Sequence, residues 1–289
     1  MHKSCLICNN SKISSLKGYE NHGLVKCRNC GFVFMQKIPT AEELDKYYST
    51  YSYGREQYLS PITIKSYNLL LDEFEKYRKT NKILDVGCGL GWFLLEAKKR
   101  GWEVYGTEFS KEAVKLCTEN GINMKEGVLN SEDFINHEFD IITSSEVIEH
   151  INNPNIELES IKKLLRKGGL FYCTTPNFNS LLRYYLKSDY NIIGYPEHLC
   201  YYTKSTLKRL AKAHDLKPVK FLSTGISITR LKTSTGKSQE KMVAKESSDE
   251  VLRKNIESKW YLNVAKIIVN KLLTLTNTGM TLKGYYIKK

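Results

Sequence analysis

The stretch 82–110, KILDVGCGLGWFLLEAKKRGWEVYGTEFS, constrains this chain more than any other. Ile83, Leu84 and Val86 make a short apolar run of the kind buried in a sheet. GCGLG suits a tight turn, and Trp92 to Lys99 has the spacing of an amphipathic helix. Glu103 to Gly106 supplies a second strand. Strand, turn, helix and strand in so short a space form a parallel unit, which requires a sheet covered on both faces. Gly87, Gly89 and Gly91 let the backbone approach a ligand closely and open a helix whose amides face it. Glu108 lies about 20 residues beyond the first glycine, where an acid accepts hydrogen bonds from ribose hydroxyls. The third glycine comes early for a dinucleotide fingerprint. Asp85, just before the turn, suits a cationic amino group better than a pyrophosphate.

The alternation continues downstream. Lys111 to Asn120 reads as a helix, Ile122 to Lys125 and Phe139 to Thr143 as strands, Ile156 to Arg166 as a helix, and Gly169 to Thr174 as a strand closing at Pro176. A helix over Thr203 to His214 and a strand over Val219 to Leu222 follow, and TLKGYYIKK alternates like an edge strand. A loop-rich insertion at about 233–278 contains a helix near Val251 to Leu273. On that helix Leu252, Ile256, Trp260, Val264, Ile267, Ile268 and Leu272 fall near one another. This stripe is expected to pack on its own domain or in a homodimer, with peripheral contact to an anionic membrane as the alternative.

LDVGCGLG, the acid Glu108, FDIITSSEVIEHINNP and LLRKGGLFYCTTPN together resemble the class I S-adenosylmethionine-dependent methyltransferases. The resemblance implies an α/β fold with a Rossmann-like seven-stranded sheet whose last strand is antiparallel. It implies S-adenosylmethionine as methyl donor, bound by Asp85, Gly87, Cys88, Gly89, Gly91, Glu108 and Ser145. CRNCGFVFMQKIPTAEELDKYYSTYSY is similar to the opening of a bacterial subgroup associated with sugar and surface-polysaccharide methylation.

Cys5-x2-Cys8 and Cys27-x2-Cys30 have the spacing of a structural zinc ribbon, four thiolates closing a tetrahedron with no place for water. We expect the ribbon over 1–38, a tyrosine-rich linker and lid helix over 39–80, and the methyltransferase domain over 81–289. Tyr51 and Tyr53 in the linker are candidates to cover the donor.

Glu146, Glu149 and His150 follow the fourth sheet strand at helical spacing, and His198 lies in a later loop facing the same mouth. Two carboxylates and two imidazoles suit a second divalent site for Mg, Mn, Fe or Zn. The Glu-x-x-Glu-His pattern resembles that of small-RNA 2′-O-methyltransferases and of ubiquinone-pathway O-methyltransferases, in which it is associated with a divalent cation. Three readings stay open: a metal site, His150 or His198 as catalytic base without metal, or helix-capping chemistry alone.

The net charge of +13 favours anionic partners. Scattered lysines disfavour nucleic acid and fit sugar-containing or phosphorylated small molecules. The N-terminus lacks the apolar core of a signal peptide, so a cytoplasmic enzyme is expected, with the inner membrane face as an option. The expected reaction is O-methylation of a sugar hydroxyl in a glycan precursor, nucleotide-linked sugar or surface polysaccharide. The alternatives are a quinone or aromatic-diol methyltransferase, an RNA 2′-O-methyltransferase and a non-catalytic donor-binding scaffold. Metal analysis of the purified protein should find about one zinc per chain, lost in Cys5→Ser.

Overall fold

A computed structural model describes residues 1–48, 58–240 and 244–289. The main sheet contains β4 (Lys82–Val86), β5 (Glu103–Glu108), β6 (Asn123–Glu126), β7 (Phe139–Ser145), β8 (Leu165–Pro176), β10 (Leu216–Thr224) and β11 (Thr281–Lys288). Their spatial order is β10-β11-β8-β7-β4-β5-β6. Pairings from β8 to β6 are parallel, and β11 runs antiparallel to both neighbours, as expected for this sheet.

Successive strand residues enter opposite cores. Ile83, Ile141, Tyr172 and Tyr285 face α2 (Pro61–Phe74) and α3 (Trp92–Lys99), meeting Leu71, Phe74, Phe93 and Leu94. Leu84, Ile142, Phe171 and Tyr286 face α5 (Pro154–Leu164) and α7 (Lys204–Ala213), meeting Leu158, Ile161, Leu207 and Leu210. α4 (Lys111–Glu119) covers the β5–β6 end, closing on Gly91 through Cys117.

The N-terminal segment builds a second sheet from β1 (Ile13–Ser15), β2 (Leu24–Cys27) and β3 (Val33–Met35), followed by α1 (Ala41–Tyr48). Its fourth strand is β9 (Cys200–Tyr201), contributed from beyond β8: Val33 pairs with Tyr201 and Phe34 with Cys200. Phe32 and Phe34 join the same core as Leu84 and Phe139, and the Phe32 and Tyr202 rings lie 5.1 Å apart. The cysteine-bearing segment is therefore fused to the main domain through shared burial.

α6 (Leu181–Leu186) follows β8. Between β10 and β11 lie α8 (Ile228–Ser234), α9 (Ser248–Ser258) and α10 (Trp260–Thr276). The single helix expected near Val251 to Leu273 is thus two helices, because Lys259 takes extended backbone (φ −129°, ψ 113°) and turns the chain. α9 is tied to the start of α2: Glu250 accepts from Ser60 Oγ at 2.6 Å and Tyr58 OH at 3.1 Å. Asp249 accepts the Ile228 and Thr229 amides that open α8.

At the amino ends of the central strands, away from the glycine turn, fully buried Asp140 accepts from Arg166 Nε and from the amides of Lys79 and Asn81. Burial pushes its carboxyl up, but Arg166 and these amides win and hold it below the ordinary range. Arg166→Met would strand the charge. Denaturant unfolding of that variant should show a loss of about 3–5 kcal/mol, with the donor affinity of the surviving folded protein unchanged.

Candidate functional site

The carboxyl ends of β4 and β7 open into a cleft of about 250 Å³. Asp85, Gly87, Cys88, Gly89, Leu90, Thr143 and Ser145 line its sheet side, with Tyr67 and Leu70 from α2 and Trp92 and Phe93 from α3. Gly87 has φ +66°, and a Cβ there would sit 2.6 Å from Val147 Cγ2. Gly91 has φ +69°, and its Cβ would meet Ile122 Cδ1 at 2.6 Å and Cys117 Sγ at 2.9 Å. Both positions demand glycine on conformation and on space. Cys88 lends backbone to the wall while its sulfur packs 3.8 Å from Met124 Sδ.

Asp85 is buried and accepts from Thr143 Oγ1 at 2.6 Å. Burial pushes its carboxyl up to about 7, with Glu108 adding to the rise and the Thr143 bond opposing it. A cationic amino group arriving there would supply the missing counter-charge. Glu108 holds the turn closed: Oε2 accepts from the Gly89 amide at 3.0 Å, and Oε1 from the Phe109 and Ser110 amides at 2.8 and 3.1 Å. Thr143 and Tyr67 did not emerge from the sequence. A threonine in a buried strand resembles any β-branched filler, and Tyr67 reaches the cleft only because α2 folds over it.

Beyond Ser145 the chain does not enter an α-helix directly. Glu146 has φ +55°, Ile148–His150 forms one 3₁₀ turn, and α5 begins only at Pro154. This differs from the helical turn expected over residues 146–150, and it separates the two glutamates. Glu149, His150 and His198 present ligand atoms all within 4.8 Å of one another, a group that does not include Glu146. Glu146 keeps an exposed surface, yet the protein packed around its carboxyl still raises it, against a hydrogen bond from Thr174 and the charges of Arg230 and Lys283.

In the three-residue group, Glu149 Oε2 accepts from Thr175 Oγ1 at 2.9 Å, while buried Oε1 has no hydrogen-bond partner among the described residues. His150 Nε2 lies 4.0 Å from that oxygen. Nδ1 of His150 is 2.7 Å from the Glu197 carbonyl, and Nδ1 of His198 is 2.6 Å from the Ile192 carbonyl. A carbonyl can only accept, so each Nδ1 carries the proton and each Nε2 is left with a lone pair. The rings are 4.8 Å apart. Burial lowers both imidazoles, His198 to about 4 with His150's charge adding to the effect. Burial, reinforced by Glu146, holds Glu149 well above the carboxylate range. Burial thus pushes all three groups toward their uncharged forms. A buried carboxylate oxygen lacking a partner beside two imidazole lone pairs suits a divalent ion.

The four N-terminal thiols also converge within 4.8 Å, Cys5 to Cys30 at 3.5 Å and Cys8 to Cys27 at 3.6 Å. Zn–S bonds of about 2.3 Å in a tetrahedron put sulfurs about 3.8 Å apart, so this donor set fits zinc. Burial pushes Cys5 up and Cys30 to about 11; burial also opposes Cys8, but the Asn10 backbone and Asn29 amide bring it down to about 7. Tyr51 and Tyr53 lie outside the described residues.

The methyltransferase-domain family matches residues 57–220, more than half of the chain. Two curated relatives are both named ubiquinone biosynthesis O-methyltransferase. The one from Glaesserella parasuis serovar 5 (strain SH0165) is 33% identical over 107 residues, covering 33% of this chain and 45% of that protein. The one from Actinobacillus pleuropneumoniae serotype 5b (strain L20) is 36% identical over 108 residues, 33% of this chain and 46% of that protein. The chain spans about half the length of the curated relatives it matches. Among solved structures, a SAM-dependent methyltransferase from Archaeoglobus fulgidus shares the fold with a TM-score of 0.51 at 19% identity, over 78% of this chain and 93% of that one.

Asp85 carries a testable signature. An acid raised to about 7 by folding stabilises the ligand-free protein below its unfolded value near 4 and loses that contribution as pH rises through 7. Asp85→Asn should therefore raise the ligand-free Tm at pH 8 by a few degrees. Calorimetric titration should show the same substitution weakening S-adenosylmethionine at least ten-fold and abolishing the gain in affinity between pH 6 and 8 expected of the native protein.

Proposed function

The chain belongs to the methyltransferase-domain family, and from that premise we propose that it is an S-adenosylmethionine-dependent O-methyltransferase acting on an aromatic diol of the quinone-precursor type. The acceptor class draws support from the names of the curated relatives, which favour it over the sugar hydroxyl expected from the sequence. The observation that carries the reading is the convergence of Glu149, His150 and His198, whose ligand atoms lie within 4.8 Å of one another, with the first two just after the strand whose end lines the cleft.

The donor supplies an activated methyl group on a sulfonium. The chain's own work is to place it: Gly87 and Gly89 keep side chains out of its path, Glu108 presents carboxylate oxygens at the ribose position, and Asp85 offers a charge to the amino group. A divalent ion held by Glu149, His150 and His198 would supply a Lewis acid suited to two oxygens on adjacent carbons. Nδ1 of His150 and of His198 is each committed to a backbone carbonyl, so their Nε2 atoms are the ones left to hold a cation or receive a proton. Glu149 contributes negative charge once a cation offsets its burial. Cys5, Cys8, Cys27 and Cys30 would hold a structural zinc that takes no part in the chemistry.

A sugar diol is the second reading. It is favoured by the likeness of residues 27–53 to the polysaccharide-associated subgroup.

Turnover with labelled donor should fall about 100-fold after chelation and return with added divalent metal. It should fall equally in His198→Ala without loss of donor affinity. An aromatic diol should be methylated and the matching mono-hydroxy compound should not. Chelator-insensitive turnover that still needs His150 or His198 would replace the metal by a histidine base. Methylation of a sugar diol alone would restore the second reading.

A further inference from the structure

α10 is built inside out. Its inward face is largely polar: Asn270 Oδ1 accepts the Gly225 amide at 2.9 Å, and Thr274 Oγ1 accepts from the Ser223 amide and donates to the Ser223 carbonyl at 3.2 and 3.0 Å. Leu273, 5% exposed, is its one buried residue. Tyr261, Val264, Ile268, Leu272 and Leu275 follow at steps of three or four, which puts them on one face, and that face looks outward. Ile268 is 54% exposed, Leu272 57%, Leu275 77% and, at the helix start, Trp260 79%. A surface helix in water ordinarily shows the reverse arrangement.

The apolar surface extends past the helix. Thr278 accepts the Leu181 amide, and an open groove of about 300 Å³ lined by Leu181, Leu182, Tyr185, Ile226, Leu231 and Met280 adjoins it. Thr281 pairs with Pro176 and Thr224, so this surface lies at the end of the sheet where β8 finishes. Exposed apolar area this continuous marks an interaction site.

Charge selects the occupant. α10 contains Lys266 and Lys271 and no acidic residue, Lys259 precedes it, and the chain as a whole carries +13. Lys266 lies 3.9 Å from Glu257 of α9, while Lys271, three residues after Ile268 and four before Leu275, flanks the stripe itself. An anionic lipid surface is complementary both to these lysines and to the aliphatic stripe. Trp260 and Tyr261 at one end have the amphipathic character of residues at a bilayer interface. Among the described residues, no helix is long and apolar enough to cross a membrane. We propose that α10 lies flat in the surface of an anionic membrane, with its Tyr261–Leu275 stripe among the acyl chains and its lysines at the headgroups.

Flotation of the full chain with phosphatidylcholine vesicles, with and without phosphatidylglycerol, tests this. The protein should float with the anionic vesicles, less at high salt, and its fluorescence should shift to the blue, a change lost in Trp260→Phe. Ile268→Glu/Leu272→Glu should reduce partitioning at least ten-fold. Both positions face water, so Tm and S-adenosylmethionine affinity should be retained, separating lost docking from lost folding. Absence of flotation with anionic vesicles at low salt, or equal flotation of the double variant, would overturn the proposal. So would a dimer in sedimentation that the double variant abolishes without any vesicle binding, which would assign the face to a second copy.

Discussion

The candidate site depends on one short ladder of backbone hydrogen bonds. Met35 in β3 donates to the Leu199 carbonyl, and the Leu199 amide donates to the Glu149 carbonyl, both at 2.8 Å. With the pairing of Val33 and Phe34 to β9, this suspends the loop carrying His198 between the cysteine-bearing sheet and the turn carrying Glu149 and His150. The imidazoles meet because three segments distant in the chain are bonded in one line. The four converging thiols lie beside this ladder: Cys27 ends β2 and Cys30 sits in the turn into β3, the strand against which β9 is laid.

Desolvation sets the electrostatic character of the cleft and of the histidine cluster beyond it. Asp85, Glu149, His150 and His198 are each pushed toward the uncharged form by burial. Such groups are poorly satisfied in isolation and gain most from a charged ligand. The Glu149 oxygen without a partner is one instance. Asp140 and Arg166 at the other end of the sheet show the alternative, where a buried charge is fully matched within the protein.

Much of this was legible where the signal is local. LDVGCGLG led directly to β4, the turn and α3, because glycine spacing and an apolar run report backbone geometry within a few residues. The antiparallel β11 came from the family resemblance. Glu149, His150 and His198 came together as their spacing and loop position suggested, but Glu146 did not. Its positive φ depends on Glu146 N bonding to the Thr174 carbonyl across the sheet, which a helical-wheel reading cannot contain. β9 is two residues long and exists only because β3 is waiting for it, so it left no mark in the sequence. The apolar stripe of α10 was visible, but its direction was not, since the polar partners Ser223 and Gly225 lie on another strand.

The position of β9 also bears on how the molecule is assembled. In synthesis β3 precedes its neighbour by about 165 residues. Contacts spanning that much chain close slowly and late. Until then the edge of β3 stands open and His198 has no fixed place. Alignment of the two imidazoles thus waits for the segment around residue 200, whereas the glycine turn and its neighbouring strands β4 and β5 lie wholly within the chain before it.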